Sequence, residues 1–138
     1  HLLEHAPHRG VQQWMRDLNR VYRDEGALHA ADCSAEGFEW IDFADADQSV
    51  VSFLRRGGGG NTVVAAINFT PVPRHNYRVG VPGGGYWREV LNSDGVWYGG
   101  SGQGNLGGLD AAPVPASGRS WSINATLPPL GIVAFKAP

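Results

Sequence analysis

The sequence predicts a mostly β fold, an antiparallel β-sandwich preceded by one amphipathic helix, and three observations predict it. Apolar residues recur at helical period only up to Tyr22, and from Gly37 onward the period is two, with turn signals every 8–12 residues. Glycine and proline make up 29 of the 138 residues, which is turn-rich but short of the roughly 25–30% typical of low-complexity chains. A hydrophobic share of 42%, with five Trp, four Tyr and five Phe, suffices to fill one core.

Each element follows in order. Val11, Trp14, Met15, Leu18, Val21 and Tyr22 form one apolar stripe, while Arg16, Asp17, Arg20, Arg23, Asp24 and Glu25 charge the opposite face. Gly10, after Pro7, is expected to open this helix, and Gly26 to close it as a left-handed cap. A lone helix of that length is marginal in water, so its stripe must pack on something. Upstream, His1-Leu2-Leu3-Glu4-His5 reads as the end of an element that begins earlier; no Met opens the chain.

Strands are expected over 38–43, 49–55, 62–69, 76–81, 86–91, 120–127 and 132–136. The run Val63-Val64-Ala65-Ala66-Ile67 suits a central strand buried on both faces, ended by Pro71 and Pro73, which cannot supply ladder donors. Gly57–Asn61 reads as a hairpin turn, and so does Pro82-Gly83-Gly84-Gly85. Residues 99–119 hold seven of the twenty glycines without clear period and read as a long loop.

Composition excludes several function classes. A net charge of −2 argues against a nucleic-acid footprint or a polybasic membrane anchor, and no apolar run nears the ~18 residues of a membrane span. No secretory signal pattern opens the chain. One cysteine, Cys33, forbids an internal disulfide and suits a reducing cytoplasm; as a lone thiol it reads as a small buried hydrophobe. Gly102-Gln103-Gly104-Asn105-Leu106-Gly107 matches G-x-G-x-x-G, but Gly108, Pro113 and Pro115 forbid the helix a dinucleotide site needs, and Ser122 stands where its acid belongs.

Asp42, Asp45 and Asp47 fail the calcium-loop pattern, because the sixth position is Val50 and the twelfth is Arg56; they read as turn-capping aspartates. The five histidines lack zinc spacing, so no zinc is expected, and no G-x-S-x-G elbow occurs. Asn68-Phe69-Thr70 and Asn124-Ala125-Thr126 match glycosylation acceptors by chance. Glu36, Glu39, Asp42, Glu89 and Asp94 are available for acid–base work, but no spacing singles out a pair.

Aromatic residues carry the remaining functional expectation. At least three of the five Trp should fill the core or an interface. Sugar rings stack their C–H faces on exposed aromatic faces, and Trp40 is the first candidate because Glu39, Ile41 and Phe43 offer a competing apolar face; Trp97 and Tyr98 follow.

Asp17-Leu18-Asn19-Arg20 with Tyr22-Arg23, Gly37-Phe38-Glu39-Trp40, Ser52-Phe53-Leu54-Arg55-Arg56, Asn68-Phe69-Thr70-Pro71-Val72-Pro73-Arg74, Tyr86-Trp87-Arg88-Glu89-Val90-Leu91-Asn92-Ser93-Asp94, Tyr98-Gly99-Gly100-Ser101 and Leu127-Pro128-Pro129-Leu130 occur in this order. Together they resemble the C-terminal part of bacterial 1,4-α-glucan branching enzymes of the α-amylase superfamily. The resemblance implies that residues 1–26 are the last helical segment of a (β/α)8 catalytic barrel, and that 27–138 form an antiparallel β-sandwich of the α-amylase C-terminal type.

It further implies a cytoplasmic parent enzyme of glycogen biosynthesis. Such an enzyme cuts α-1,4 links through a retaining double displacement and transfers the chain to a C6 hydroxyl, making an α-1,6 branch without a cofactor. The catalytic carboxylates of that family lie on barrel strands, so none carries over and this segment alone is expected to be inactive. Expected partners are an α-glucan and the barrel of the same polypeptide, not nucleic acid or a membrane. Competing readings are the tail of another α-amylase-superfamily hydrolase or maltosyltransferase, or a free-standing carbohydrate-binding module.

Overall fold

A computed structural model describes residues 1–138. The helical stripe becomes α1 (Ala6–Asp24), longer at its start than the apolar pattern indicated, with Pro7 in the first turn, where its missing N–H costs nothing. Gly10 does not open the helix. It is buried inside it, and a Cβ there would fall on the Tyr98 carbonyl, so glycine lets α1 touch the short 3-10 turn Val96–Tyr98. Gly26 is no left-handed cap either: Glu25 ends the helix in an extended conformation, and Gly26–Leu28 forms another 3-10 turn. No helix is long and apolar enough to cross a membrane.

Eight strands follow: β1 (Phe38–Asp45), β2 (Val50–Arg56), β3 (Thr62–Asn68), β4 (Arg74–Val81), β5 (Gly85–Asn92), β6 (Gly108–Ala111), β7 (Trp121–Leu127) and β8 (Gly131–Lys136). Six form one antiparallel sheet in the order β1-β2-β3-β8-β5-β6, and β4 pairs with β7 in a second layer. β6 lies inside the expected loop. Its Leu109 and Ala111 are two apart and pack on the core, but the glycines before them hid that alternation.

Pro82-Gly83-Gly84-Gly85 is not a hairpin turn: β4 belongs to the small sheet and β5 to the large one, so the chain crosses between layers there. Trp87 Nε1 donates to the Gly83 carbonyl at 3.1 Å, and a Cβ on Gly84 would lie 2.9 Å from the Trp121 ring. Two tryptophans thus brace the crossing.

β3 is central as expected. Its Val64 and Ala66 face the second layer with Leu54, Val79, Trp87, Ile123, Val133 and Phe135, a layer almost without exposure. Val63 and Ala65 face the other way, toward Val21, Leu18 and Trp14 of α1. The helix covers only part of that outer face. Val11, Met15 and Tyr22 of the apolar stripe remain exposed, so the stripe is wider than its seat on the sheet. Trp87 is buried, and Trp14 and Trp121 are half-buried against apolar clusters.

Candidate functional site

β1 pairs β2 with Phe38 opposite Arg55 and Trp40 opposite Phe53, which sends Phe38, Trp40 and Phe53 to the outer, helix-side face. Simple alternation would put Phe43 inward with Ile41. Register shifts between Trp40 and Asp42 and again before Asp45 break that alternation, leaving Ile41 buried and Phe43 68% exposed. Phe43 therefore joins the opposite face from the one expected of it. Trp40 meets Phe38 edge-on at 4.9 Å and Phe43 at 5.8 Å, while Phe38 stacks on Phe53 at 5.5 Å. The outcome is a four-ring patch at the sheet edge, with Trp40 49% exposed at its centre. Sequence alternation does not place Phe43 in this patch because a bulge leaves no mark in apolar periodicity.

Trp97 and Tyr98 lie in the 3-10 turn Val96–Tyr98 and part company there. Trp97 is 66% exposed. Tyr98 is half-buried; its hydroxyl donates to Asp17 Oδ2 at 2.7 Å, and its ring meets Trp14 edge-on at 5.3 Å. Hydrogen bonds from the Gln13 amide and then the Tyr98 hydroxyl hold the Asp17 carboxyl below its ordinary value, whereas burial and then Asp17 push Tyr98 up. Tyr98 clasps α1 to the sandwich.

The other carboxylates are engaged in holding the chain. Asp42 Oδ1 accepts from the Ala44 amide at 2.9 Å and Asp45 Oδ1 from the Gln48 amide at 3.1 Å, while Asp45 Oδ2 takes the Tyr77 hydroxyl at 2.8 Å; Asp47 is exposed. Glu39 binds both Arg56 and Arg119, and the Arg56 hydrogen bond leads in lowering its carboxyl. Asp94 organises the glycine-rich loop, accepting from the Ser101 amide and hydroxyl and from the Gln103 amide; burial opposes ionisation there, but these bonds hold the carboxyl low.

Glu89 is the exception. Burial raises it, against an Asn105 amide bond of 2.7 Å that favours the charged form. Glu36 is exposed. No group of three or more His, Cys, Asp and Glu stands ready for a metal ion. Cys33 is exposed rather than buried, since it sits in the turn after Gly26–Leu28, outside both apolar layers.

Asn68 explains why its proline-flanked segment is so distinctive. Its side chain is fully buried and satisfied on both ends: Nδ2 donates to the carbonyls of Val72 at 2.8 Å and Pro128 at 3.0 Å, and Oδ1 accepts from the Thr70 amide and hydroxyl. It is a corner tie, and no glycan has access to it.

A family model described as the alpha amylase C-terminal all-beta domain matches residues 40–138. Among curated relatives, the 1,4-alpha-glucan branching enzyme GlgB of Aquifex aeolicus (strain VF5) is 56% identical over 137 residues, covering 99% of this chain and 22% of that protein. The protein of the same name from Aromatoleum aromaticum is 52% identical over 96% of the chain and 21% of its own length. That from Roseobacter denitrificans is 51% identical over 99% and 19%. The chain thus spans about a fifth of the length of the curated relatives it matches. The match begins within β1 and runs through every later strand to Pro138, and the chain belongs to the alpha-amylase C-terminal all-beta domain family.

Proposed function

We propose that this chain is the C-terminal portion of a 1,4-α-glucan branching enzyme, in which it braces the catalytic barrel and holds α-glucan on exposed aromatic rings. One observation carries the reading: alignments more than half identical over their whole length take in the helix as well as the sandwich, in proteins that all bear the branching-enzyme name. A family match confined to 40–138 would leave α1 unaccounted for.

On this reading residues 1–26 are the final helical segment of the barrel and 27–138 the C-terminal domain. The exposed row Val11, Met15 and Tyr22 on α1 then faces the rest of the polypeptide. The parent enzyme cleaves an α-1,4 link through a glucosyl-enzyme intermediate and passes the chain to a C6 hydroxyl, with its carboxylates on barrel strands outside these residues. The parent works in the cytoplasm, without cofactor.

The Trp40 patch is the first glucan contact. Phe38, Phe43 and Phe53 fix the indole orientation, so little side-chain freedom is lost when a sugar stacks on it. Trp97 offers a second open ring, and Tyr98 contributes by steadying it.

Affinity electrophoresis through a glycogen-containing gel tests the reading. Trp40→Ala should reduce retardation at least about threefold while leaving the melting curve in place. Equal mobility of wild type and variant would reject the Trp40 contact. In the full-length polypeptide carrying this chain, iodine staining of amylose should fall without release of reducing ends. Release in proportion to the lost stain would identify a hydrolase instead.

A further inference from the structure

The glycine-rich stretch 99–108 has no role in the reading above, yet it is ordered around one carboxylate and faces an open ring. Besides the three bonds from Ser101 and Gln103 to the Asp94 carboxyl, the Gly102 amide donates to the Asp94 carbonyl at 2.8 Å. Asn92 Nδ2 ties the Gln103 carbonyl at 2.9 Å, and Asn105 bridges Glu89 and Thr126. A Cβ on Gly104 would fall on Asn92 Nδ2, so this wall is built at backbone distance from β5.

Trp97 stands over that wall in a fixed pose. A Cβ on Gly95 would lie 2.8 Å from its Cε2 and 3.0 Å from its Cζ2, so one face of the indole rests on the Gly95 backbone. Tyr98 meets it edge-on at 5.7 Å. The other face is open. Two adjoining hollows of about 350 and 470 Å³ share Glu89, Asn92, Trp97 and Gly107; loop 102–107 walls the first, and Asp17 and Arg20 of α1 wall the second. Their size suits a small polar ligand.

The chemistry at the foot of the ring is that of a sugar subsite. Glu89 Oε2 accepts from the Asn105 amide at 2.7 Å, and the Asn105 backbone and the Asn92 side chain also favour its charged form, so the carboxylate stands at the hollows as an acceptor. Arg20 reaches Asp17 Oδ1 at 3.2 Å with one nitrogen and keeps further N–H donors for solvent or ligand. The two hollows thus gather an aromatic face, a carboxylate-bearing residue and, on the α1 side of the second, a guanidinium donor, the set that meets the C–H face and the vicinal hydroxyls of a hexose.

We infer that the groove between α1, β5 and loop 102–107 is a second α-glucan site, with a glucosyl ring stacked on Trp97 and its hydroxyls bound by Glu89 and Arg20. The inference rests on the glucan-handling reading proposed above. β1 and β5 are four strand spacings apart in the large sheet, about 19 Å, so this site and the Trp40 patch are distinct.

Titration of the 15N-labelled chain with maltoheptaose, followed by NMR, tests it. The Trp97 indole N–H and the amides of 102–107 should shift together. Trp97→Ala should abolish the loop shifts or weaken their apparent Kd about tenfold while leaving the Trp40 indole response intact. Glu89→Gln, which keeps the Asn105 bond, should weaken the loop response with an unchanged melting curve. Silent 102–107 amides alongside a responding Trp40 would overturn the second site and spare the glucan reading. Silence at both would remove both.

Discussion

The two faces of the six-stranded sheet are built to different standards. Toward β4 and β7, Leu54, Val64, Trp87, Val133 and Phe135 are all but inaccessible, and Ile123 of β7 closes over them from the second layer. Toward α1, a smaller cluster of Val21, Ala27, Val63, Ala65, Leu91 and Ala134 is completed by half-buried Trp14, Leu18 and Phe53, and the helix stops short of the β1 edge. The inner face specifies the fold by complete burial. The outer face trades burial for open rings, and both candidate sugar platforms, Trp40 and Trp97, are found on its margins.

The sharpest way to break this comparison is to truncate the largest side chain of each face. Trp87 fills the inner layer at 1% exposure and also donates to Gly83, so Trp87→Ala leaves both a cavity and an unpaired carbonyl at the layer crossing. We expect a loss of about 3–5 kcal/mol in urea unfolding. A loss below about 1 kcal/mol would mean that the inner face is not the stability core.

Trp14→Ala on the outer face should cost less, about 2 kcal/mol, because the ring is half-buried and its partner Tyr98 can resettle. In the full-length polypeptide it should also lower Tm. An equal or larger loss than Trp87→Ala would reverse the ranking of the two faces.

This asymmetry also marks what could be read in advance. The inner face was legible because β3 and β7 carry a continuous apolar run or plain alternation, whose burial depends on period alone. β6 was not, since three residues behind two glycines give too short a pattern. The β4–β5 crossing was misjudged as a hairpin because Pro and Gly announce a turn without saying which sheet the next strand joins. At the site, Trp40 was legible as an exposed ring, but Phe43 needed the bulge, and Glu89 and Arg20 reach the Trp97 groove only through tertiary placement of α1 against β5. Tyr98 looked like its neighbour Trp97; only the position of Asp17, 81 residues away, separates them.

That separation yields the smallest expected effect and the finest test. Tyr98→Phe keeps the ring against Trp14 and removes only the bond to Asp17, a loss of about 1 kcal/mol at neutral pH. The folded Asp17 carboxyl lies below its ordinary 3.8, so the stabilisation it gains is complete above that value and drains away as pH falls through the lower, folded one. The folded Tyr98 hydroxyl lies above its ordinary 10.0, so its share is complete below that value and is lost as pH rises through the folded one. The gap between wild type and Tyr98→Phe should therefore be flat from about pH 4 to 10 and narrow on both sides. Retardation in glycogen gels should be unchanged, because the hydroxyl serves the helix and not the sugar. Weakened retardation with an unchanged melting curve would put the Tyr98 hydroxyl on the sugar, and the outer face would then hold its ligand with the group that here holds its helix.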